Sequence, residues 1–109
     1  MILLTGCKQG VTREIKTDTL YNKIDINEAM NLIEKKFETM VDGTLLKMCF
    51  DETDEINKQL DGSGIYVYLT VKTNDDPPEN LKANTTYDSF YCNLEMNNSG
   101  NCKIVASGM

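Results

Sequence analysis

Ile65-Tyr66-Val67-Tyr68-Leu69-Thr70-Val71-Lys72-Thr73 is the stretch whose reading decides the fold class. Aliphatic side chains alternate with Tyr, Thr and Lys, so a strand here has one apolar face and one polar, aromatic face. Such a strand belongs to a sheet with one buried side, and that side needs an apolar cover. Asn74-Asp75-Asp76-Pro77-Pro78 ends it, because proline has no N–H to give a ladder.

Working upstream, Ile26, Ala29, Met30, Ile33, Phe37, Met40 and Val41 have the spacing of one helical stripe. They predict a helix over 26–41 that supplies the cover. Asp25 with Glu28 forms the Asp variant of a capping box, Ile24 is placed to staple onto Ala29, and Gly43 suits the position after the last turn. Thr44–Phe50 reads as a strand, although Leu45, Cys49, Ile56 and Leu60 also repeat helically. Residues 51–64 read as an acidic, then glycine-rich connection with one helical turn. Downstream, Thr86–Met96 and Cys102–Ser107 read as two strands joined at Asn97-Asn98-Ser99-Gly100, an antiparallel hairpin. The order is one helix, then four strands. The expectation is an α+β domain over 21–109, one helix packed on a curled four-stranded antiparallel sheet. A cystatin-like wrap has this order, but no motif of that family is present, and the likeness is architectural only.

The chain has 109 residues, with 11 basic and 17 acidic side chains, a net charge of −6 and no histidine. That excludes Ser-His and Cys-His nucleophile pairs and every imidazole zinc site. Mean hydropathy is −0.38, and no apolar run approaches the about 18 residues of a spanning helix. The acidic balance argues against a nucleic-acid partner, since affinity for phosphates comes from Lys and Arg. It suits a basic protein instead. No cofactor is expected.

Leu4-Thr5-Gly6-Cys7 resembles a bacterial lipobox, a match of four residues. The resemblance implies cleavage before Cys7 and a diacylglyceryl group on its thiol, hence membrane attachment by acyl chains rather than by a span. Residues 1–6 would be the remnant of a signal peptide, and 7–20 the anchor cysteine and a polar tether, with a short strand at Thr12–Lys16. Lys8 stands where Asp would signal inner-membrane retention, which points to the periplasmic face of the outer membrane. Six residues precede Cys7 and none is basic, whereas a signal has a basic start and an apolar stretch of about 7 to 15 residues. Either the signal is truncated at its start, or these residues form an apolar strand with a buried free cysteine.

With Cys7 lipidated, three cysteines remain. Cys92 and Cys102 flank the proposed turn and are the expected disulfide, given an oxidising compartment. A loop of Met96–Asn98 sets them opposite each other; a loop of Asn97–Gly100 sets Cys102 against Glu95. Cys49 reads as a buried thiol. No C-x-x-C pair suggests a metal.

The acidic run Asp51, Glu52, Asp54, Glu55 with Asp61 lacks EF-hand spacing and reads as a solvated loop. Asp61-Gly62-Ser63-Gly64 is neither a nucleophile elbow nor a phosphate loop. Asn84-Thr85-Thr86 and Asn97-Asn98-Ser99 fit the glycosylation sequon, which matters only in a eukaryotic secreted chain. Tyr66 and Tyr68 share one face of a strand, and Tyr87 and Tyr91 another; these four are the candidate contact residues. No catalytic or metal-binding residues are assigned. Three functions follow in order: a non-enzymatic, lipid-anchored envelope protein that binds a protein, as inhibitor, immunity or assembly accessory; a cytosolic interaction or regulatory protein; and a small hydrolase using Asp51, Asp54 and Asp61.

Overall fold

A computed structural model describes residues 11–38, 43–77, 79–96 and 102–108. The elements are β1 (Thr12–Lys16), α1 (Lys23–Glu38), β2 (Gly43–Asp51), α2 (Glu55–Leu60), β3 (Gly64–Thr73), β4 (Thr86–Met96) and β5 (Cys102–Gly108). The strands form one sheet in the order β1-β2-β3-β4-β5. β1 runs parallel to β2, and the other neighbours are antiparallel.

This corrects the expected single helix on a four-stranded antiparallel sheet. The sheet has five strands and is mixed, and there are two helices. The fifth strand is Thr12–Lys16, whose pairing runs from Thr12↔Lys47 to Lys16↔Asp51. The short strand read at Thr12–Lys16 is present with those bounds, but it belongs to the sheet and not to the tether in which its polar character placed it. Arg13, Glu14 and Lys16 are the charges that keep an edge strand from pairing with other chains. A parallel pair needs a crossover, and α1 provides it.

The start of α1 also differs. Asn22 caps it, its Oδ1 accepting from the Ile24 N–H at 2.8 Å and its carbonyl from Ile26 N–H at 3.1 Å. Asp25 lies in the first turn, and Ile24 is 66% exposed rather than stapled. Gly43 belongs to β2, where a Cβ would meet the Lys72 carbonyl oxygen at 2.6 Å. Met40 and Val41 lie outside the described residues.

Ile26, Ala29, Met30 and Ile33 of α1 are fully buried. They meet Met48 and Phe50 of β2, Ile65, Val67 and Leu69 of β3, and Cys92 and Leu94 of β4 in one core. The alternation of β3 thus turns its aliphatic side to the helix. α1 contacts β1, β2 and β5. A flat five-stranded sheet would be about 19 Å across at ~4.8 Å per strand, too wide for one helix to reach both edges. The sheet therefore curls around α1 and has a closed concave side and an open convex side.

β2 stops short of the first residues of β3, and α2 fills the gap. Fully buried Asn57 donates to the Asp51 and Tyr66 carbonyls at 3.0 and 3.1 Å and accepts from Tyr66 N–H at 2.8 Å. One side chain thus stands in for a missing strand.

Candidate interaction surface

On the convex side the register builds a row across the whole sheet: Glu14, Cys49, Tyr68, Tyr91 and Gly108. Tyr66 lies one step along β3, opposite Asn93. The rings of Tyr66 and Tyr91 stack at 5.1 Å and 9°. Tyr68 meets Tyr66 edge-on at 5.2 Å and 74°. A centroid distance so near the strand spacing, with parallel planes, means the two stacked rings stand up from the sheet rather than lie on it.

Three of the four candidate tyrosines therefore converge, and the fourth does not. Tyr87 is opposite Val71, an aliphatic of the concave row, and contacts Phe90 edge-on at 6.2 Å. Its hydroxyl accepts from Lys82 N–H at 2.9 Å. Between Leu69↔Phe90 and Val71↔Tyr87 β4 has one residue more than β3. That bulge reverses the parity of the strand, so Tyr87 and Tyr91 face opposite ways.

Burial pushes the Tyr66 hydroxyl up, with the neighbouring Tyr91 and the Asp54 carboxylate adding to it. Burial and Asp54 do the same to Tyr68, whose hydroxyl donates to the Asp54 carboxylate at 3.3 Å. Both hydroxyls stay protonated and can donate. Asn93 Oδ1 is buried without a hydrogen-bond partner.

The charge on this face differs from that of the chain. The register places Lys16, Lys47, Lys72 and Lys103 among Glu14, Asp51 and Glu95, and Asp54 lies beside Tyr68. Lys47 pairs with Glu14 at 3.0 Å. With Asp88 of the β4 bulge, four cations stand against five carboxylates and leave the surface near neutral, while the chain carries −6. The expectation of a basic partner rested on the whole-chain balance, and this face does not carry that balance.

The acidic run builds local structure. Asp51 Oδ1 accepts from Thr53 N–H and Oγ1 at 2.9 and 2.6 Å, which holds its carboxyl below the usual range. Asp54 caps α2 through Ile56 N–H, and Asp61 ends α2 in the left-handed region at φ 49°. Among the described residues no group of His, Cys, Asp or Glu could hold a metal ion. A wide-mouthed cavity of about 480 Å³ lies between β1 and the end of β2, lined by Lys16, Lys23, Asp18, Asp51, Glu52 and Thr53 among others. The roles of Glu52 and Asn57 were not foreseen, because Glu52 serves 18–21, far away in sequence, and Asn57 bridges the ends of two strands.

Cys49, Cys92 and Cys102 are free thiols, which corrects the expected Cys92–Cys102 bridge. Cys102 is opposite Met96 and Cys92 opposite Ser107. Cys92 and Met96 are four residues apart on one strand, about 13 Å at ~3.3 Å per residue, beyond disulfide reach. Burial pushes the Cys92 thiol up to about 11, against a smaller opposing effect of Lys36. Burial also raises Cys49, with Glu14 adding to it; its Sγ lies 3.9 Å from Glu14 Oε1. Cys7, residues 1–6 and the 97–100 turn lie outside the described residues.

No family model, no curated protein and no solved structure matches this chain.

Proposed function

We propose that this chain is a non-enzymatic protein-binding module that meets its partner with the convex face of the sheet. One observation carries this: Tyr66, Tyr68 and Tyr91, each half-buried, touch one another on the side of the sheet away from α1. Clustered tyrosines offer large contact area, little side-chain entropy to lose, and hydroxyls that can pair across an interface. The near-neutral charge there suits a partner surface of mixed charge. Attachment through Cys7 at the periplasmic face of the outer membrane is the location proposed for the module, and it rests on the lipobox resemblance alone.

The register, which keeps Cys92 and Cys102 out of bridging reach, suits the second reading, a cytosolic interaction or regulatory protein with ordinary thiols. The hydrolase reading gains no support: the Asp51 and Asp54 carboxylates are taken up by a turn and a cap, and Asp61 ends α2 through its backbone.

The test is affinity capture from the host with three baits: the wild-type chain, Tyr66→Thr/Tyr68→Thr/Tyr91→Thr, and Tyr87→Thr. The expected result is a set of proteins held by wild type and Tyr87→Thr and lost with the triple variant. Identical sets on all three folded baits would overturn the reading. Intact mass of the native chain, before and after alkylation, separates an acylated start at Cys7 from a chain that keeps Met1.

A further inference from the structure

Glu52 follows β2 directly, and its carboxylate is buried. Oε1 accepts from Asp18 N–H at 2.7 Å and Tyr21 N–H at 3.1 Å. Oε2 accepts from Thr19 and Leu20 N–H at 3.0 and 3.1 Å. These four consecutive residues lie in the connection from β1 to α1. The main-chain N–H of Glu52 also donates to the carbonyl of Lys16, the last residue of β1, at 2.9 Å. A single residue thus holds both the end of β1 and the loop that leaves it.

β1 has little else. Thr12, Glu14 and Lys16 are exposed, and Val11 and Ile15 are only partly buried. Its remaining ties are the β2 ladder, the Lys47–Glu14 ion pair, and Arg13, which donates to Asn27 Oδ1 at 3.0 Å, Asn31 Oδ1 at 2.7 Å and the Glu34 carboxylate. All are polar. The segment after it is anchored differently. The Tyr21 ring packs edge-on against Phe50 at 5.1 Å, and its hydroxyl donates to the Gly64 carbonyl at 2.7 Å. A boundary between weakly and strongly held chain therefore falls at Tyr21.

We propose that Glu52 is a latch: loss of its charge releases β1 and residues 17–20 from the sheet, while α1 and β2–β5 remain packed. Release bares the main-chain edge of β2 that β1 covers from Lys47 to Asp51.

The sign with pH follows from the geometry. Burial pushes the Glu52 carboxyl up, but the four N–H groups together outweigh it, and the net effect holds it below the ordinary glutamate range. The latch is closed at neutral pH and opens as pH falls through that lowered value. Lys16, Lys23, Asp18 and Asp51 line the same cavity, and Tyr21 feels the Glu52 charge. Glu14 and Glu34 carry ion pairs to Lys47 and Arg13 in the same region, so a substitution at neutral pH is needed to isolate Glu52.

The test is amide hydrogen exchange, residue by residue, on the full chain at pH 7, comparing wild type with Glu52→Gln. The expected result is exchange about tenfold or more faster over 12–20, with β3 and β4 unchanged. Equal acceleration of β1, β3 and β4, or no change over 12–20, would overturn the latch. If Glu52→Gln does not fold, the variant Glu14→Gln/Glu34→Gln, in which both of those ion pairs are already absent, carries the test from pH 7 to about pH 3. Loss of native signals over 12–20 ahead of β3 and β4 supports the latch, and one joint transition refutes it.

Discussion

The two faces of this sheet come from the same strands and have different work. On the concave face Ile65, Val67 and Leu69 meet Ile26, Met30 and Ile33 and leave almost no surface to water. On the convex face Tyr66, Tyr68 and Tyr91 touch one another and the strands beneath them, with Asp54 of the α2 cap beside Tyr68. The first arrangement is a solved packing problem, since a helix stripe covers an aliphatic stripe. The second keeps large aromatic area half in water, which is useful only if something else meets it. Stability should therefore reside on one face and binding on the other.

Substitutions can break that division. The largest effect is expected at Phe50, fully buried and packed on Tyr21: Phe50→Ala should cost about 3–5 kcal/mol in urea unfolding. Next is Asn57→Ala, which strands the carbonyl and N–H of Tyr66; about 2 kcal/mol is expected from the same measurement. On the convex face Tyr91→Thr removes one stacked ring and should cost only about 1 kcal/mol, while reducing partner capture far more. A convex substitution as costly as Phe50→Ala would erase the distinction.

The cysteines sharpen the comparison without altering stability. Cys92 is on the concave side and fully buried, Cys49 on the convex side and half-buried. Alkylation of the native chain at neutral pH should modify Cys49 first and spare Cys92 until unfolding, as read by peptide mass. The sign of the pH effect follows from a raised thiol. The protonated Cys92 is favoured by the fold, so its contribution is complete below the ordinary thiol range and is lost as pH rises toward about 11.

Four strands were legible because alternation and turn residues report directly on a half-buried ladder. β2, β3, β4 and β5 lie where Leu45, Val67, Leu94 and Ile104 place them. β1 was legible as a short strand at Thr12–Lys16, but its charges, Arg13, Glu14 and Lys16, made it resemble part of a tether rather than an edge of the sheet. Asn22 and Asp25 both suit a helix start, and local pattern does not rank them; the structure caps at Asn22. Tyr66 and Tyr68 were readable as one face, but Tyr87 was misplaced beside Tyr91 because a bulge does not show in alternation. The same dependence on register separated Cys92 from Cys102. Glu52 looked like one more solvated acid, since its partners at 18–21 come close only through the parallel β1–β2 pairing.

Hydroxyl-radical footprinting of the full chain, in buffer and in extract of its host, tests the central claim most directly. Tyr66, Tyr68 and Tyr91 should react in buffer and be protected in extract, with Tyr87 unchanged between the two. Protection of Tyr87 or of the outer face of α1, with Tyr66, Tyr68 and Tyr91 still reactive, would contradict a convex binding face.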